Sequence, residues 1–140
     1  MYLELVTLLG VKLNRDIYEV IAPTAAGEIA VFPGHEPLVT LAQPGALAVR
    51  YNKGDSDDKL EYFAISGGVI EIDQKFVRVL VDEADHGDEV SESDAKAALE
   101  RAMKLRGEAK DQVSLQNAER MIGREAGRLR VAELRRRHRR

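Results

Sequence analysis

The sequence predicts an α+β protein in which an N-terminal antiparallel β-sandwich is followed by a C-terminal α-helical hairpin. Apolar residues alternate with polar ones in short runs over the first part of the chain, whereas they recur at helical spacing over the last third. Charge divides the chain in the same way. Residues 1–90 hold 7 Lys/Arg and 16 Asp/Glu, while residues 91–140 hold 14 and 8. We therefore expect two domains, residues 1–86 and 87–140, with different binding partners.

Alternating apolar runs define the strands of the predicted sandwich. Leu3 and Leu5 lie on one face of the first strand, and turn residues rich in Gly and Pro separate each run from the next. The later runs are Val11, Leu13, Ile17 and Ile21; Leu47, Val49 and Tyr51; Leu60, Tyr62 and Ala64; Ile70 and Ile72; and Val77, Val79 and Val81. Polar residues 52–58 predict an exposed hairpin tip, and Gly67-Gly68 predicts a bulge or a tight bend.

Two helices are expected after the sandwich. Ser91 or Ser93 is expected to N-cap the first, and Gly107 to interrupt it. The second is expected to begin near Gln112 or Ser114 and to fold back antiparallel to the first. The apolar positions at helical spacing are Ala95, Ala98, Leu99, Ala102 and Leu105, and then Leu115, Ala118, Ile122, Ala126 and Leu129.

The helix faces expected to meet are rich in alanine, which gains little from packing because each buried CH₂ contributes about 0.8 kcal/mol. Gly123 and Gly127 each lower helix propensity by up to about 1 kcal/mol relative to alanine. Two interpretations stay open. The hairpin opens or swings, or its small residues let two helices pack closely.

Composition excludes several classes of function. The chain has no cysteine, which removes disulfides, thiolate metal sites and a cysteine nucleophile. Aromatic residues make up 5% and tryptophan is absent, so a surface for stacking nucleic-acid bases has little to build from. Glu4 breaks the first apolar run and no basic residue precedes it, so we expect no signal peptide. No apolar stretch approaches 18 residues, so we expect no membrane span.

No catalytic or metal-binding constellation emerges from the sequence. The three histidines are scattered and form no closely spaced ligand pair, so neither a metal nor a catalytic residue is expected. Asp57-Asp58 and Asp82-Glu83 are interpreted as solvated strand ends. Ser66 lies beside glycines but lacks the strand-to-helix elbow of a hydrolase nucleophile.

The most distinctive stretch is GEIAVFPGHEPLV, residues 27–39. Pro33 and Pro37 stiffen the chain on either side of His35 and Glu36. We therefore expect these two ionisable side chains to be presented on a rigid protrusion that serves as a contact surface.

This stretch resembles an element of the epsilon subunit of F-type ATP synthases, G-x-I-G-hydrophobic-x-P-x-H-x-P-hydrophobic. Residues 64–72 are similar to the SGG strand pair of that family, and residues 77–84 to its last sandwich strand. Residues 129–134 are similar to the end of the second helix in some bacterial members. The similarities occur in order and cover essentially the whole chain.

The resemblance implies a non-catalytic rotor subunit of the central stalk, without a cofactor. The sandwich would bind the gamma subunit and the ring of c subunits and help to transmit ion-driven rotation to the catalytic head. The complex would place the chain at the cytoplasmic face of the bacterial plasma membrane, which it would contact only through other subunits. By position in the family, the residues that would contact the c-ring and gamma are Glu28, Phe32, His35 and Glu36. Glu36 departs from the small residue common there.

The resemblance also implies a mobile hairpin. In bacterial members the helices fold against the sandwich or extend along gamma to the alpha and beta subunits, where they restrain ATP hydrolysis. Some members bind ATP through an [I/L]-D-x-x-R-A motif at the start of the first helix. The matching stretch here begins at Val90, ends at Ala95 and reads VSESDA, so that Ser91 and Asp94 replace the Asp and the Arg. Because Asp94 reverses the charge that would face phosphate, we expect weak or no ATP binding here.

The chain ends in ELRRRHRR although its net charge is −3. An arginine cluster of this kind suits a nucleic-acid-binding module, or it is a solvated helix end favoured by the helix dipole. The resemblance implies a third target, an acidic segment of the catalytic beta subunits. The arginines expected to make that inhibitory contact are Arg128, Arg130, Arg135, Arg136, Arg137, Arg139 and Arg140. The acidic sandwich and the few aromatic residues favour a protein target over nucleic acid.

Overall fold

A computed structural model, which describes residues 1–138, contains ten β-strands followed by two α-helices within those residues. This arrangement confirms the predicted α+β class. The strands are β1 (Tyr2–Thr7), β2 (Gly10–Asp16), β3 (Glu19–Thr24), β4 (Gly27–Val31), β5 (Leu38–Ala42), β6 (Gly45–Arg50), β7 (Glu61–Ile65), β8 (Gly68–Ile72), β9 (Phe76–Val81) and β10 (Ala84–His86). The helices are α1 (Glu92–Glu108) and α2 (Gln112–His138). Short 3₁₀ turns occupy Asp57–Lys59 and Gly87–Glu89.

The strands pair in the order β10-β7-β6-β3-β5-β8-β9-β1-β2, and β4 pairs with β3. A single residue pair, Thr24 with Ala42, joins β3 to β5, so the ladder turns there into a second layer. Within the described chain, β1 and β9 run parallel, which departs from the predicted antiparallel pairing. No hairpin joins these two strands, so their direction is set by the packing of their side chains on the core.

One apolar core lies between the two layers. Its largest fully buried side chains come from both layers and include Phe63, Leu3, Leu5, Leu47 and Ile70. These are aliphatic or aromatic groups whose removal from water supplies most of the stability of such a domain.

The expected alternation from Ile17 to Ile21 is wrong, because two residues outside any strand separate the end of β2 from the start of β3. Ile17 lies in the sandwich core, but the parity restarts at β3, where Val20 and Ala22 face that core. Ile21 points to the other side of the layer and packs against residues beneath α2.

Ser91 caps α1, since its Oγ accepts a hydrogen bond of 3.3 Å from the backbone N–H of Asp94. Gly107 does not interrupt this helix as expected, because α1 continues to Glu108. The break follows over residues 109–111. There Asp111 accepts a hydrogen bond of 2.7 Å from the backbone N–H of Ser114 and caps α2.

α1 packs on α2, and α2 packs in turn on β6 and β7. Ala95, Ala102 and Ala118 are buried as the alanine pattern predicts. Leu105 and Ala126 were expected on the same stripes but are exposed. At Ala126 the single-stripe expectation fails because α2 has two partners, and its buried side chains are divided between the α1 side and the sheet side. Leu105 lies in the last turn of α1, beyond the buried Ala102.

Candidate interaction surfaces

The predicted protrusion is a tight turn that follows β4. The backbone N–H of His35 donates to the carbonyl of Phe32 at 3.2 Å, and Gly34 lies between them with φ of 86°. Proline followed by a residue with positive φ is typical of a type II turn. The Gly34 N–H also donates to Gln74 O at 3.0 Å, which ties the turn to the β8–β9 connection. Phe32 packs edge-on against Tyr18, with ring centroids 5.6 Å apart.

The structure brings Phe32, His35 and Glu36 together at this turn but places Glu28 elsewhere. Glu28 lies near the opposite end of β4, about 13 Å from Phe32 at the usual rise per strand residue. There it lines a cavity of about 140 Å³ beneath α2, together with Arg130. Glu28 was expected to contact the c-ring and gamma, and Arg130 was expected to contact the catalytic head. The structure places both residues at this one cavity.

The outer face of the second layer is apolar and uncovered. One row of paired residues crosses five strands there and consists of Leu41, Val69, Leu80, Val6 and Val11. Val39 is 70% exposed near this row, and Leu9 at the β1–β2 tip is 99% exposed. We call this surface, Leu8 and Leu9 included, the apolar face. A contiguous apolar patch of this kind on a folded chain marks an interaction site.

Charged residues border the apolar face on one side. Arg78 lies between two glutamates on neighbouring strands, with Nη1 at 3.2 Å from Glu71 Oε2 and Nε at 3.4 Å from Glu4 Oε2. These three side chains occupy the adjacent row of paired residues. The border combines both signs of charge, which suits a polar rim around an apolar contact.

α2 covers the opposite layer mainly with small side chains. Val131 is fully buried and Ala132 nearly so, against a cluster that includes Tyr62. Gly127 lies directly on Gly45, and a Cβ at Gly127 would come within 3.0 Å of the Gly45 nitrogen. The glycine that lowers the helix propensity of α2 therefore allows close contact between helix and sheet.

Three arginines of α2 pair with three carboxylates along β10 and the residues that flank it. The pairs are Arg124–Glu83, Arg128–Asp85 and Arg135–Asp88. The first spans 2.6 Å between Nε and Oε2, and this hydrogen bond raises the pKa of Arg124. We call Glu83, Asp85 and Asp88 the acidic edge, and Arg124, Arg128 and Arg135 the edge arginines.

The remaining arginines of the expected inhibitory contact have varied surroundings. Arg136 Nη1 lies 3.4 Å from Glu92 Oε1 and so joins α2 to α1. Arg137 is exposed on the last turn, and His138 stacks on Tyr62 with centroids 6.0 Å apart. Arg139 and Arg140 lie outside the described residues.

At the start of α1, Ser91 and Asp94 serve the helix itself. The Ser91 hydroxyl accepts the Asp94 N–H as the N-cap, and the carboxylate of Asp94 occupies the first turn, where the helix dipole favours negative charge. The segment that would match a nucleotide motif therefore presents an acidic helix start.

The two ends of that segment, Val90 and Ala95, are packing residues. The sequence singled out Val90 only as the first position of the altered motif, and the structure adds a packing role for it. Val90 is 8% exposed and belongs to the apolar cluster beneath α2 that contains Tyr62 and Val131. Its backbone N–H donates to the carbonyl of Gly87 at 3.2 Å and so closes the preceding 3₁₀ turn. Val90 is therefore part of the contact between hairpin and sandwich, which a motif comparison does not register.

Residues 1–138 contain no group of three or more His, Cys, Asp and Glu that could hold a metal ion. His86 has structural partners, since Nε2 lies 2.9 Å from Glu61 Oε1 and Nδ1 accepts the Asp88 N–H at 3.0 Å. None of the helices in this described part is long and apolar enough to cross a membrane.

Sequence reasoning missed the apolar face and the acidic edge. The sequence does contain a signal for the apolar face. Val39 and Leu41 are apolar residues on the side of β5 that alternation assigns to solvent. Glu83 was interpreted as part of a solvated strand end. Its partner Arg124 lies 41 residues further along the chain, a separation that local patterns do not register.

A β-sandwich with an arginine-rich hairpin on one face and an uncovered apolar surface on the other defines a protein-binding subunit. Comparison with known proteins identifies which one. The family model described as ATP synthase, Delta/Epsilon chain, beta-sandwich domain matches residues 1–87. The chain belongs to the family of ATP synthase epsilon chains.

Relatives support this assignment over the full length. An ATP synthase epsilon chain of Herpetosiphon aurantiacus is 39% identical over 137 residues, covering 96% of this chain and 95% of the relative. Epsilon chains of Staphylococcus aureus are 37% identical over 133 residues, covering 94% and 96%. The expectation of a non-catalytic accessory subunit is thereby confirmed, and the chain is an epsilon subunit of the central stalk.

Solved structures show the same fold. A chain in the mitochondrial ATP synthase of Euglena gracilis, a structure of OSCP, F1 and c-ring, superposes with a TM-score of 0.77 at 25% identity, covering 89% of this chain and 76% of that chain. A chain from the central stalk and c-ring of the Tetrahymena thermophila mitochondrial enzyme gives a TM-score of 0.60 at 16% identity, with coverage of 92% and 96%.

Proposed function

We propose that this epsilon subunit helps to couple c-ring rotation to the catalytic head and restrains ATP hydrolysis when its C-terminal hairpin leaves the sandwich. On this proposal residues 1–86 form the stalk-binding domain and residues 87–140 the regulatory one. The chain acts at the cytoplasmic face of the bacterial plasma membrane, which it contacts only through the complex. It takes no cofactor.

The gamma subunit is the proposed partner of the apolar face. This surface is broad, lies opposite the hairpin and stays accessible whether the hairpin is folded or released. Leu41→Glu should weaken gamma binding by at least about tenfold, because burying an unpaired carboxylate in an apolar contact is costly. Leu105→Glu is the matched control, since Leu105 is also an exposed leucine but lies on α1. Equal gamma affinity of the two variants in a titration would contradict this assignment.

The c-ring is the proposed partner of the turn that carries Phe32, His35 and Glu36. Its proline, the hydrogen bond within the turn and the hydrogen bond from Gly34 to the β8–β9 connection give it a rigid shape, which limits the entropy lost on binding. Glu28 is proposed to contact the ring as well, from the opposite end of β4.

The inhibitory role rests on one observation, the character of the contact between α2 and the sheet. On the helix side this contact consists mainly of small side chains and partly exposed ion pairs, so the folded and released states need differ by only a few kcal/mol. Once released, the helix would carry its arginines to an acidic surface of the alpha and beta subunits.

Deletion tests this role in the assembled enzyme. Removing residues 91–140, or only 135–140, should raise ATP hydrolysis while gamma binding through the sandwich persists. Unchanged hydrolysis after the longer deletion would contradict an inhibitory hairpin. Calorimetry with ATP should detect no binding at millimolar concentration or below, because Ser91 and Asp94 replace the residues that would hold phosphate.

A further inference from the structure

The edge arginines and the acidic edge match each other in spacing. Arg124 and Arg128 are four residues apart on α2, a distance of about 6 Å along a helix. Their partners Glu83 and Asp85 are two residues apart in extended chain, about 6.6 Å. The third pair continues the order: Arg135 lies seven helical residues beyond Arg128, about 10 Å, and Asp88 lies in the 3₁₀ turn three residues beyond Asp85.

The three arginines also lie on one face of α2, and they follow the same order along the chain as their carboxylate partners. Positions four and eleven residues apart lie on nearly the same face of a helix, so the three guanidinium groups point to one side of α2. The ion pairs follow the same order along both segments. Arg135 also donates through Nη1 to the carbonyl of Gly87 at 2.5 Å, which fixes the helix end against the backbone of the turn.

Solvent reaches at least one side chain of each pair, and the Arg128–Asp85 pair is the least exposed, with 20% and 29% of its two side chains accessible. The side chains of Arg124 and Glu83 are 46% and 54% exposed, and Asp88 is 66% exposed. Pairs of this kind contribute little individually and are screened by salt. Arg124 and Arg128 also approach Glu125, but that residue lies on α2 and moves with them.

We propose that the acidic edge is an intramolecular competitor for the acidic partner surface that the released hairpin contacts. In the folded state it occupies Arg128 and Arg135, which belong to the proposed inhibitory contact. Carboxylates of a partner must therefore displace the carboxylates of this chain, and the balance between the two sets decides how much of the hairpin is released. This inference rests on the proposed inhibitory function.

The test neutralises the acidic edge in the full chain through Glu83→Gln, Asp85→Asn and Asp88→Asn together. The edge arginines stay intact. We expect the ratio of released to folded hairpin to rise by about tenfold, from three partly exposed pairs acting together. Since the chain has no cysteine, nitroxide labels on Lys53→Cys and Gln116→Cys report the separation of sandwich and α2 without background labelling.

A matched control removes three exposed carboxylates elsewhere through Asp16→Asn, Glu100→Gln and Glu108→Gln, with the same change in net charge. The label distances of this variant should equal those of the unaltered protein. If both variants release the hairpin equally, net charge is responsible and the proposal is wrong. If neither does, the proposal is also wrong.

Two further measurements complete the test. In the unaltered protein, raising salt should increase the released fraction, and a constant fraction would overturn the proposal even if the triple variant failed to fold. In the assembled enzyme the triple variant should hydrolyse ATP more slowly. If the labels separate but hydrolysis does not change, the acidic edge controls release of the hairpin as proposed. The proposal that the released hairpin inhibits hydrolysis is then the one that is wrong.

Discussion

The sandwich core and the contact between α2 and the sheet use different chemistry within one small molecule. The core is built from large side chains with almost no exposure, among them Phe63 and Leu47. The helix contact depends on Gly127, Ala132 and a single fully buried valine, supplemented by ion pairs at its border. Since apolar stabilisation scales with buried area, the first region favours one state strongly and the second only weakly. The difference suits a permanent binding domain joined to a detachable one.

The largest expected effect comes from the core. Phe63→Ala should lower the free energy of unfolding of the sandwich by about 3–5 kcal/mol, because it removes a large buried ring and leaves a cavity. Urea denaturation followed by circular dichroism measures this loss. Leu105→Ala, at an exposed position on α1, should change stability by less than about 0.5 kcal/mol. Similar losses of unfolding free energy in the two variants would contradict the proposed difference between the sandwich core and the helical hairpin.

A smaller effect is expected where α2 meets β6. Gly127→Ala should shift the hairpin toward the released state by about fivefold, because a Cβ within 3.0 Å of the Gly45 backbone crowds the folded state alone. The gain in helix propensity applies to both states and cancels. Faster amide exchange in residues 124–134, with unchanged exchange in the sandwich strands, is the expected observation.

Gly107→Ala provides the control for this substitution. It makes the same chemical change in a helix, but a Cβ there meets nothing within 4 Å. It should strengthen α1 without moving the hairpin. Unchanged amide exchange in both variants would show that close approach at Gly127 does not limit the folded state.

The same contrast explains how much of the structure could be predicted. Alternation located β1, β6, β8 and β9 because one face of each is buried in the core, whereas the run at Tyr62 and Ala64 in β7 faces the cluster beneath α2. No alternating run was assigned to β5 or β10. A serine cap at Ser91 or Ser93 could be predicted because such a hydroxyl acts within the next three residues, and Ser91 is the one that caps.

Ile21 was misassigned because a two-residue break reset the parity between β2 and β3. Ala126 was misassigned because one stripe was expected on α2, whose contacts lie in two directions. Leu105 was misassigned because the stripe was extended into the last turn of α1, where this side chain stays exposed.

The candidate surfaces were harder to predict than the fold. Residues 32–36 were identified because prolines and a glycine encode the turn locally. The burial of Val90 and the acidic edge both depend on contacts between segments that are far apart in the chain, which only the packing of α2 on the sheet brings together. The apolar face depends on the register of five strands, although β5 alone carried a detectable excess of apolar residues.

The smallest expected effect separates the stability of α2 from its docking. Asp111 accepts backbone and side-chain hydrogen bonds from Ser114, which lower the pKa of its carboxyl group. A group with a lowered pKa in the folded state stabilises that state above its unfolded pKa, and loses this effect as the pH falls through the folded value. The first turn of α2 should therefore fray on acidification, and a lower protection factor of the Ser114 amide, taken relative to its intrinsic exchange rate at each pH, would report it.

Asp111→Asn should remove this pH dependence while keeping most of the cap, because an asparagine side chain also accepts the N–H hydrogen bond. Docking of the last turns of α2 should be unaffected in the variant, since Asp111 lies at the far end of the helix from Arg135. If the variant instead released the hairpin, the beginning of α2 would contribute to docking. The contact between hairpin and sandwich would then extend beyond the acidic edge and the small residues over β6 and β7.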